Sequence, residues 1–584
     1  MKGLRGVAQL ASASGLGPEG RVFESHHPDE VQDRLTDSKS VSFFHETVSR
    51  RPADGKRQIL TKFANQRPIM RKLLIFVFTA VAVISCKSGN VNPDIYVLGN
   101  PADTSYFKQA PFEWHVTPRH DYSQTYVIKL FMSQALFDGD YMGRYKMHDN
   151  GLQTNYLNCE DALEIIKGMD AITCGFPKIV YLVGWQYLGH DSKYPAFFEG
   201  NEAIKRDCDT DALESMRWLM EEARKYNTSV SVHINMFDCY TDSPLFDEYV
   251  AADVLAKDKG GNLLHGDWGY KVSYTAEWNA GLTQKRLDSL CRILPIAEAG
   301  TLHIDAFHNT VPTPYINEEG EPDINLVAPI SPWHGFTEAQ DVATQLNIIK
   351  FMDAKGIDIT IEGVGEGDYA RKAFDGYIPM YWHYGNREHQ LSLKPSQACG
   401  GNNYGVLKCF GYNANGESLF REARTLAEGL DAFKGAFCKS TLIASYLNRF
   451  GRIAMVVDEG EDIDDDDDDM SIGIFEDGVR TLWKDGYVNV SRNGVVLAEN
   501  GDVFIPAPWV GDGAIIAYSE NGYSGRTWTL PEGTAVPRNA AAYTLDADGR
   551  SEFHDFRIKG RSVTMSLEPD QMVIICPDGA LTQL

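Results

Sequence analysis

Cysteine is sparse and unpatterned here: ten in 584 residues, with no CxxC pair and no nearby pair of histidines. That argues against a cysteine-based zinc site, and no metal site is expected. An exported protein can form disulfides, but this scatter dictates no pairing, and most of the thiols read as buried and free. Positive charge is short as well. Against 81 Asp and Glu stand 55 Lys and Arg, a formal charge of −26. Phosphate binding needs clustered Lys and Arg, so no nucleic-acid partner is expected. Part of the negative charge is local: ten acidic residues lie between Asp458 and Asp469, a run that reads as a solvated loop. No internal repeat is evident, and the apolar run from Leu73 to Ile84 is too short for a comfortable membrane span.

That run has informative flanks. Met70-Arg71-Lys72 precede it, and Val83-Ile84-Ser85-Cys86 close it. A short basic segment, an apolar core and a small residue before cysteine resemble a bacterial lipoprotein signal. The resemblance implies that residues 70–86 are a signal peptide and that Cys86 is the acylated first residue of the mature protein. It also implies a membrane as partner through that lipid anchor, in the periplasm or at the cell surface. Residues 1–69 are polar and unpatterned, and they lie upstream of a signal that should be N-terminal. They read as a non-native extension, with Met70 as the true start.

From residue 126 to 450, apolar strand-like runs alternate with amphipathic helical stretches. Lys178 to Trp185 reads as a strand. Asp211 to Tyr226 follows as a helix, with Leu213, Met216, Leu219, Met220 and Ala223 on one face. Strand Ser229 to Asn235, helix Thr283 to Ile296, a strand ending at Asp305, helix Thr337 to Lys355 and a strand ending at Glu362 come next. Gly376 to His383 reads as one more strand. Repeated β–α units imply a parallel sheet, and this count favours a closed (β/α)8 barrel of the TIM type. Residues 87–125 read as a lead-in segment and 451–470 as an acidic loop. Short alternating runs in 471–584, punctuated by Gly, Asn and Asp, read as a C-terminal β-sandwich.

Two carboxylates carry the chemistry. Thr301-Leu302-His303-Ile304-Asp305 and Ile357-Asp358-Ile359-Thr360-Ile361-Glu362 each run into loop-like sequence directly after the acid. The C-terminal end of a parallel strand is where barrel enzymes hold catalytic groups, and a pair of carboxyls around one bond suits glycoside hydrolysis. Glu366 is the reserve acid. Around this pair, Asp191 can take two sugar hydroxyls, or cap a turn. Asn235 can both donate and accept toward a sugar, His233 of the same strand is a further substrate-binding candidate or a satisfied core histidine, and Tyr240 is another candidate contact. Trp268 and Tyr270, at i and i+2, can flank a sugar. No cofactor is required, and no loop motif supports a structural calcium ion.

Phe131-Met132-Ser133-Gln134-Ala135, Gly189-His190-Asp191-Ser192, Val232-His233-Ile234-Asn235, Ile304-Asp305 and Thr360-Ile361-Glu362 occur in an order resembling glycoside hydrolase family 101, the endo-α-N-acetylgalactosaminidases. Tyr446-Leu447-Asn448 and Thr527-Trp528-Thr529-Leu530-Pro531 extend the resemblance over roughly residues 125–535. It implies release of O-linked glycans from Ser or Thr of mucin-type glycoproteins with retention at the anomeric carbon. Asp305 matches the family nucleophile, Glu362 the general acid/base, Asp191 and Asn235 sugar-contacting positions, and Trp268 the first of a tryptophan pair. The second of that pair is Tyr270 here, and the acidic residue expected shortly afterwards is missing from Lys271-Val272-Ser273-Tyr274. The exo-acting relatives of family 129, another α-glycosidase specificity, and an inactive glycan-binding lipoprotein are the alternatives.

Overall fold

The computed structural model describes residues 95–99, 113–137, 148–266, 269–307, 314–316, 322–324, 330–362, 373–382, 405–413, 417–458, 470–537, 539–577 and 580. Residues 1–69, the 70–86 signal with Cys86, Trp268, Glu366 and the acidic run beyond Asp458 lie outside the described residues. Among the described residues no helix is long and apolar enough to cross a membrane.

Five strands form one parallel sheet in chain order: β1 (Tyr126–Phe131), β2 (Lys178–Val183), β3 (Thr228–Asn235), β4 (Thr301–Asp305) and β5 (Asp358–Ile361). Between them run α1 (Cys159–Thr173), α2 (Ala212–Glu222), α3 (Leu282–Ile293) and α4 (Glu338–Asp353). Local sequence sets their starts. Asn158 accepts the Glu160 and Asp161 amides while Asp161 returns to the Asn158 amide, and Thr337 and Gln340 make the same reciprocal cap on α4. Asp211 caps α2 through the Glu214 amide.

Strand parity divides the sheet into two faces. Ile128, Leu130, Val180, Leu182, Val232, Ile234, Leu302, Ile304, Ile359 and Ile361 pack outward into the main core with the helices. The alternate residues point inward, and many are polar: Lys129, Tyr181, Ser231, His233, Thr301, His303 and Thr360 are all buried. The sheet curls around them. Val127 and Ile179 share a cluster with Met380 and Trp382, and the Lys129 ammonium sits 4.5 Å from the centre of the Trp382 ring.

The segment Gly376 to His383 departs from the expected strand. It contributes a single parallel bridge, Ile361 to Tyr381, with the Trp382 amide donating to Ile361 O at 2.9 Å. His383 lies outside the described residues. The architecture is therefore a curled parallel sheet with helices on its outer face. Closure into eight strands is not seen among the described residues.

The lead-in packs on the sheet's N-terminal end, where the Arg119 and His120 amides donate to Asp358. The β-module begins before the acidic run, because Arg452–Asp458 is already a strand paired with Met470–Phe475. From there a long antiparallel sheet runs through Ile515–Ser519 to Gln571–Pro577 and Ala540–Asp546. A three-stranded sheet (Tyr523–Thr529, Ser562–Leu567, Phe556–Lys559) covers one face of it. Phe504, Ala517 and Val573 meet Trp528, Val563 and Met565 in a separate core, a sandwich arrangement. The other face joins the main core, and Trp509 donates its indole N–H to Thr173 O at 3.0 Å. Trp528 stacks on Phe504 at 5.3 Å, which makes the Thr527–Pro531 segment a packing motif.

Candidate active site

Asp305 and Glu362 stand side by side. Strands β4 and β5 pair Ile304 with Ile361, and the Glu362 amide donates to Ile304 O at 3.2 Å, carrying the register one step beyond. Both residues fall on the inward parity. After Asp305 the chain turns sharply through Ala306, whose φ is 46°. Its amide donates to Glu362 Oε2 at 3.1 Å, and Tyr274 Oη donates to its carbonyl at 3.1 Å. The turn therefore ties one acid to the strand end that carries the other.

Asp305 is largely enclosed, with its side chain 15% exposed. His233 Nε2 lies 3.3 Å and Lys129 Nζ 4.0 Å from Asp305 Oδ1. Burial pushes the carboxyl up, but the charges of His233, Lys129 and His190 outweigh it and hold Asp305 well below the usual carboxylate range. Burial pushes His233 the other way, below its ordinary value, against the pull of Asp305. The two directions conflict if His233 must be positive to ionise Asp305. They reconcile because a neutral His233 still donates Nε2–H, and Lys129 supplies the charge. These surroundings favour the ionised form of Asp305.

The loop after β2 brings in His190 and Asp191. Gly184 has a φ of 72°, and a Cβ there would lie 1.8 Å from Ser133 O, so only glycine permits this approach. The His190 amide donates to Ser133 O at 2.9 Å, and Asn201 Nδ2 donates to Ser133 Oγ at 2.6 Å. The Phe131–Ala135 segment thus serves to hold the His190–Asp191 loop. Both residues are buried; the His190 ring packs edge-on against His233 at 5.4 Å, which puts Asp191 beside the Asp305 site.

Other expected contacts resolve differently. Asn235 pairs with Asp305 in register, yet its amide builds a turn: Oδ1 accepts the Phe237 and Asp238 amides at 2.7 and 2.9 Å, and Nδ2 donates to Asp238 Oδ2 at 2.7 Å. Only its second amide hydrogen remains for a sugar. Tyr240 is fully buried against Phe137 and Tyr194, a packing residue beneath the loops. Tyr270 packs on a small separate core. Its ring lies against Phe246, whereas its strand neighbour Lys271 turns the opposite way to donate to Asp238 Oδ1 at 2.6 Å. That buried pair takes up the loop where an acidic residue was expected. Trp268 lies outside the described residues.

Lys129 and His303 were missed from sequence, although each left a signal: one polar residue inside an apolar strand run, Tyr126–Phe131 and Thr301–Asp305. His303 stands next to His233 in register, with ring centres 5.4 Å apart.

Residues 153–318 match the model of the endo-alpha-N-acetylgalactosaminidase family. Over that stretch the chain is similar to glycoside hydrolase family 101. The matched stretch contains Asp191, His233, Asn235 and Asp305 but ends before Glu362, so the role of Glu362 rests on geometry. No curated protein matches the chain. Among solved structures, the Gal-NHAc-DNJ complex of alpha-N-acetylgalactosaminidase NagBb from Bifidobacterium bifidum is similar at 11% identity and a TM-score of 0.42, over 63% of this chain and 58% of that one. An Anoxybacillus alpha-amylase is similar at 10% identity and a TM-score of 0.38, over 79% and 99% of the two chains. The GH36 alpha-galactosidase AgaB from Geobacillus stearothermophilus is similar at 10% identity and 0.38, over 79% and 56%. The alignment spans less than two thirds of the Bifidobacterium enzyme, and likenesses this distant carry no functional weight.

Proposed function

We propose that this protein is a retaining glycoside hydrolase acting on α-linked N-acetylgalactosamine of mucin-type O-glycans on Ser or Thr. One observation carries the reading: Asp305 and Glu362 are register neighbours, facing one interior at the C-terminal ends of adjacent parallel strands. Such strands lie about 4.8 Å apart. That scale matches the separation of about 5–5.5 Å used by retaining enzymes, and it is shorter than the roughly 6.5–9.5 Å that admits a water for inversion.

The Asp305 carboxylate attacks the anomeric carbon as the bond to the Ser or Thr oxygen breaks, and Glu362 gives its proton to that oxygen. Ala306 N–H occupies Glu362 Oε2, so the other oxygen delivers the proton. Glu362 then takes a proton from water, the water oxygen attacks the same carbon, and Asp305 leaves as a carboxylate. Two displacements restore the original configuration.

The testing experiment is product analysis on a defined O-glycopeptide by proton NMR. The α-anomer of released sugar, seen before mutarotation, is expected, and a first-formed β-anomer would overturn retention. Released disaccharide identifies endo action and free N-acetylgalactosamine exo action. No release from glycopeptide or aryl glycoside would favour a glycan-binding protein.

Lys129 offers a second check. Lys129→Met removes the ammonium beside Asp305 and raises that carboxyl's pKa. The acid limb of the kcat/KM profile should then move to higher pH by about one unit or more. An unmoved limb would remove Lys129 from this role. We also propose lipid attachment at Cys86 in a bacterial cell envelope, which the intact mass of membrane-extracted protein tests.

A further inference from the structure

We propose that His233, His303 and Asp305 form a binding site for a borderline divalent transition metal, with zinc as the type case, and that an ion there shuts the enzyme off by capturing its nucleophile. The binding stands on the fold alone; the shut-off rests on the hydrolase reading.

One ligand atom from each of the three residues lies within 4.8 Å of the other two. Some point is then within about 2.8 Å of all three, so ring movements of about 0.7 Å would give the 2.0–2.1 Å bonds of zinc to imidazole and carboxylate. One edge is already set. His233 Nε2 and Asp305 Oδ1 are 3.3 Å apart, about the spacing of two ligands on a tetrahedral zinc ion, and binding moves the imidazole proton from Nε2 to Nδ1.

The interior hydrogen bonds also present His303 correctly. Asp358 accepts from Tyr122 Oη at 3.2 Å at the sheet's N-terminal end. Thr301 Oγ1 lies 2.9 Å from Tyr122 Oη and 2.6 Å from Tyr181 Oη, and Thr360 Oγ1 donates to Tyr181 Oη at 3.1 Å. Because a carboxylate only accepts, each hydroxyl in this chain donates toward Asp358. Thr360 Oγ1 therefore accepts from His303 Nδ1, 2.9 Å away. The proton is fixed on Nδ1 and the lone pair on Nε2, the arrangement that supporting hydrogen bonds give a metal-binding histidine.

Two imidazoles and one carboxylate select zinc, cobalt, nickel or copper over calcium or magnesium, which prefer all-oxygen shells. Lys129, 4.0 Å from the Asp305 oxygen, opposes a cation and sets a limit on affinity. Cysteine spacing could not reveal this site, since its ligands come from two strands and meet only in the fold.

The test uses the full chain, stripped of metal and titrated with Co²⁺ and then Zn²⁺ without substrate. One saturable site is expected, with the visible absorption of low-coordinate cobalt, bleached on zinc addition. His303→Gln should weaken cobalt binding at least tenfold. Thr360→Val, which deletes the acceptor of His303 Nδ1–H together with the donor to Tyr181 Oη, should weaken it several-fold, and Lys129→Met should tighten it. Circular dichroism confirms that each variant is folded. Absence of a saturable cobalt site in wild type, or equal affinity in folded His303→Gln and Thr360→Val, overturns the proposal. With an aryl α-N-acetylgalactosaminide, zinc at saturation should lower hydrolysis at least tenfold, and chelation should restore it. Hydrolysis unaffected by bound zinc overturns the shut-off. Metal binding in a protein that hydrolyses no sugar sinks the hydrolase reading and leaves the site standing.

Discussion

Asp305→Asn should lower aryl α-N-acetylgalactosaminide hydrolysis by at least about 10³-fold, because under the proposed retaining mechanism the covalent step loses its attacking atom while the fold keeps an isosteric side chain. Glu362→Gln should behave differently. An aryl leaving group of low pKa needs little protonation, so its release should fall less than release of a Ser-linked sugar, whose departing oxygen depends on the acid. Added azide separates the roles further. In Asp305→Gly, azide occupies the vacated space, attacks from the side opposite the leaving group, and should give the β-glycosyl azide. In Glu362→Ala the covalent intermediate still forms, azide replaces water in the second displacement, and the α-azide should appear. Equal losses on both substrates in both variants, with no azide product, would remove the assigned division of labour. The interior position of the pair makes the test clean, since neither residue contributes to the helix-facing core.

The fold was legible wherever one face was apolar. Val180 and Leu182, and Val232 and Ile234, make short branched runs, and the strand expected over each lies within two residues of its observed bounds. The helices expected to begin at Asp211 and Thr337 do begin there, where those side chains cap α2 and α4. Gly376 to His383 misled because Tyr381 and Trp382 have strand-like side chains, although their burial comes from packing across the curled sheet rather than from pairing along a run. The strand at Arg452–Asp458 was hidden because the acidic run follows it directly and drew the boundary past it. Local pattern carries burial well, and it carries pairing only where several residues pair in sequence.

The candidate site was legible where a carboxylate closes an apolar strand, and opaque where it depends on which way a loop residue turns. Asp305 and Glu362 announce themselves because a carboxylate closing an apolar strand has little structural reason to be there. Asn235 was misjudged in part, since a side-chain amide near a strand end suits a turn as well as a ligand, and the Phe237 and Asp238 amides claim its carbonyl. The direction of Tyr270 was not legible because adjacent residues of a short hairpin strand face opposite ways, and register alone decides that Lys271 faces Asp238. Lys129 shows the converse. A lysine in a buried strand is costly unless paired, so its presence in Tyr126–Phe131 already implied an acidic partner across the interior.

Asp341→Asn should stabilise the protein, and increasingly so as pH rises. Asp341 sits in the first turn of α4, fully buried, with Oδ1 accepting from Thr275 Oγ1 at 3.1 Å and Oδ2 lacking a hydrogen-bond partner. Burial pushes its carboxyl up to about 7, against the opposing pull of the Thr275 bonds. An unfolded Asp titrates near 3.9, so between these values the native state holds a proton that the unfolded state has released. The stabilising contribution of protonated Asp341 is complete below about pH 4 and is lost as pH rises through about 7. A neutral amide of the same shape carries no such penalty. The variant's advantage should therefore grow by roughly 2–3 kcal/mol between pH 5 and pH 8, with a ceiling near about 4 kcal/mol above neutrality. Urea unfolding of both proteins at the two pH values measures it. An advantage that stays constant, or shrinks toward pH 8, would mean that Asp341 is ionised in the native state, and its buried Oδ2 would then need a partner that the packing around α4 does not supply.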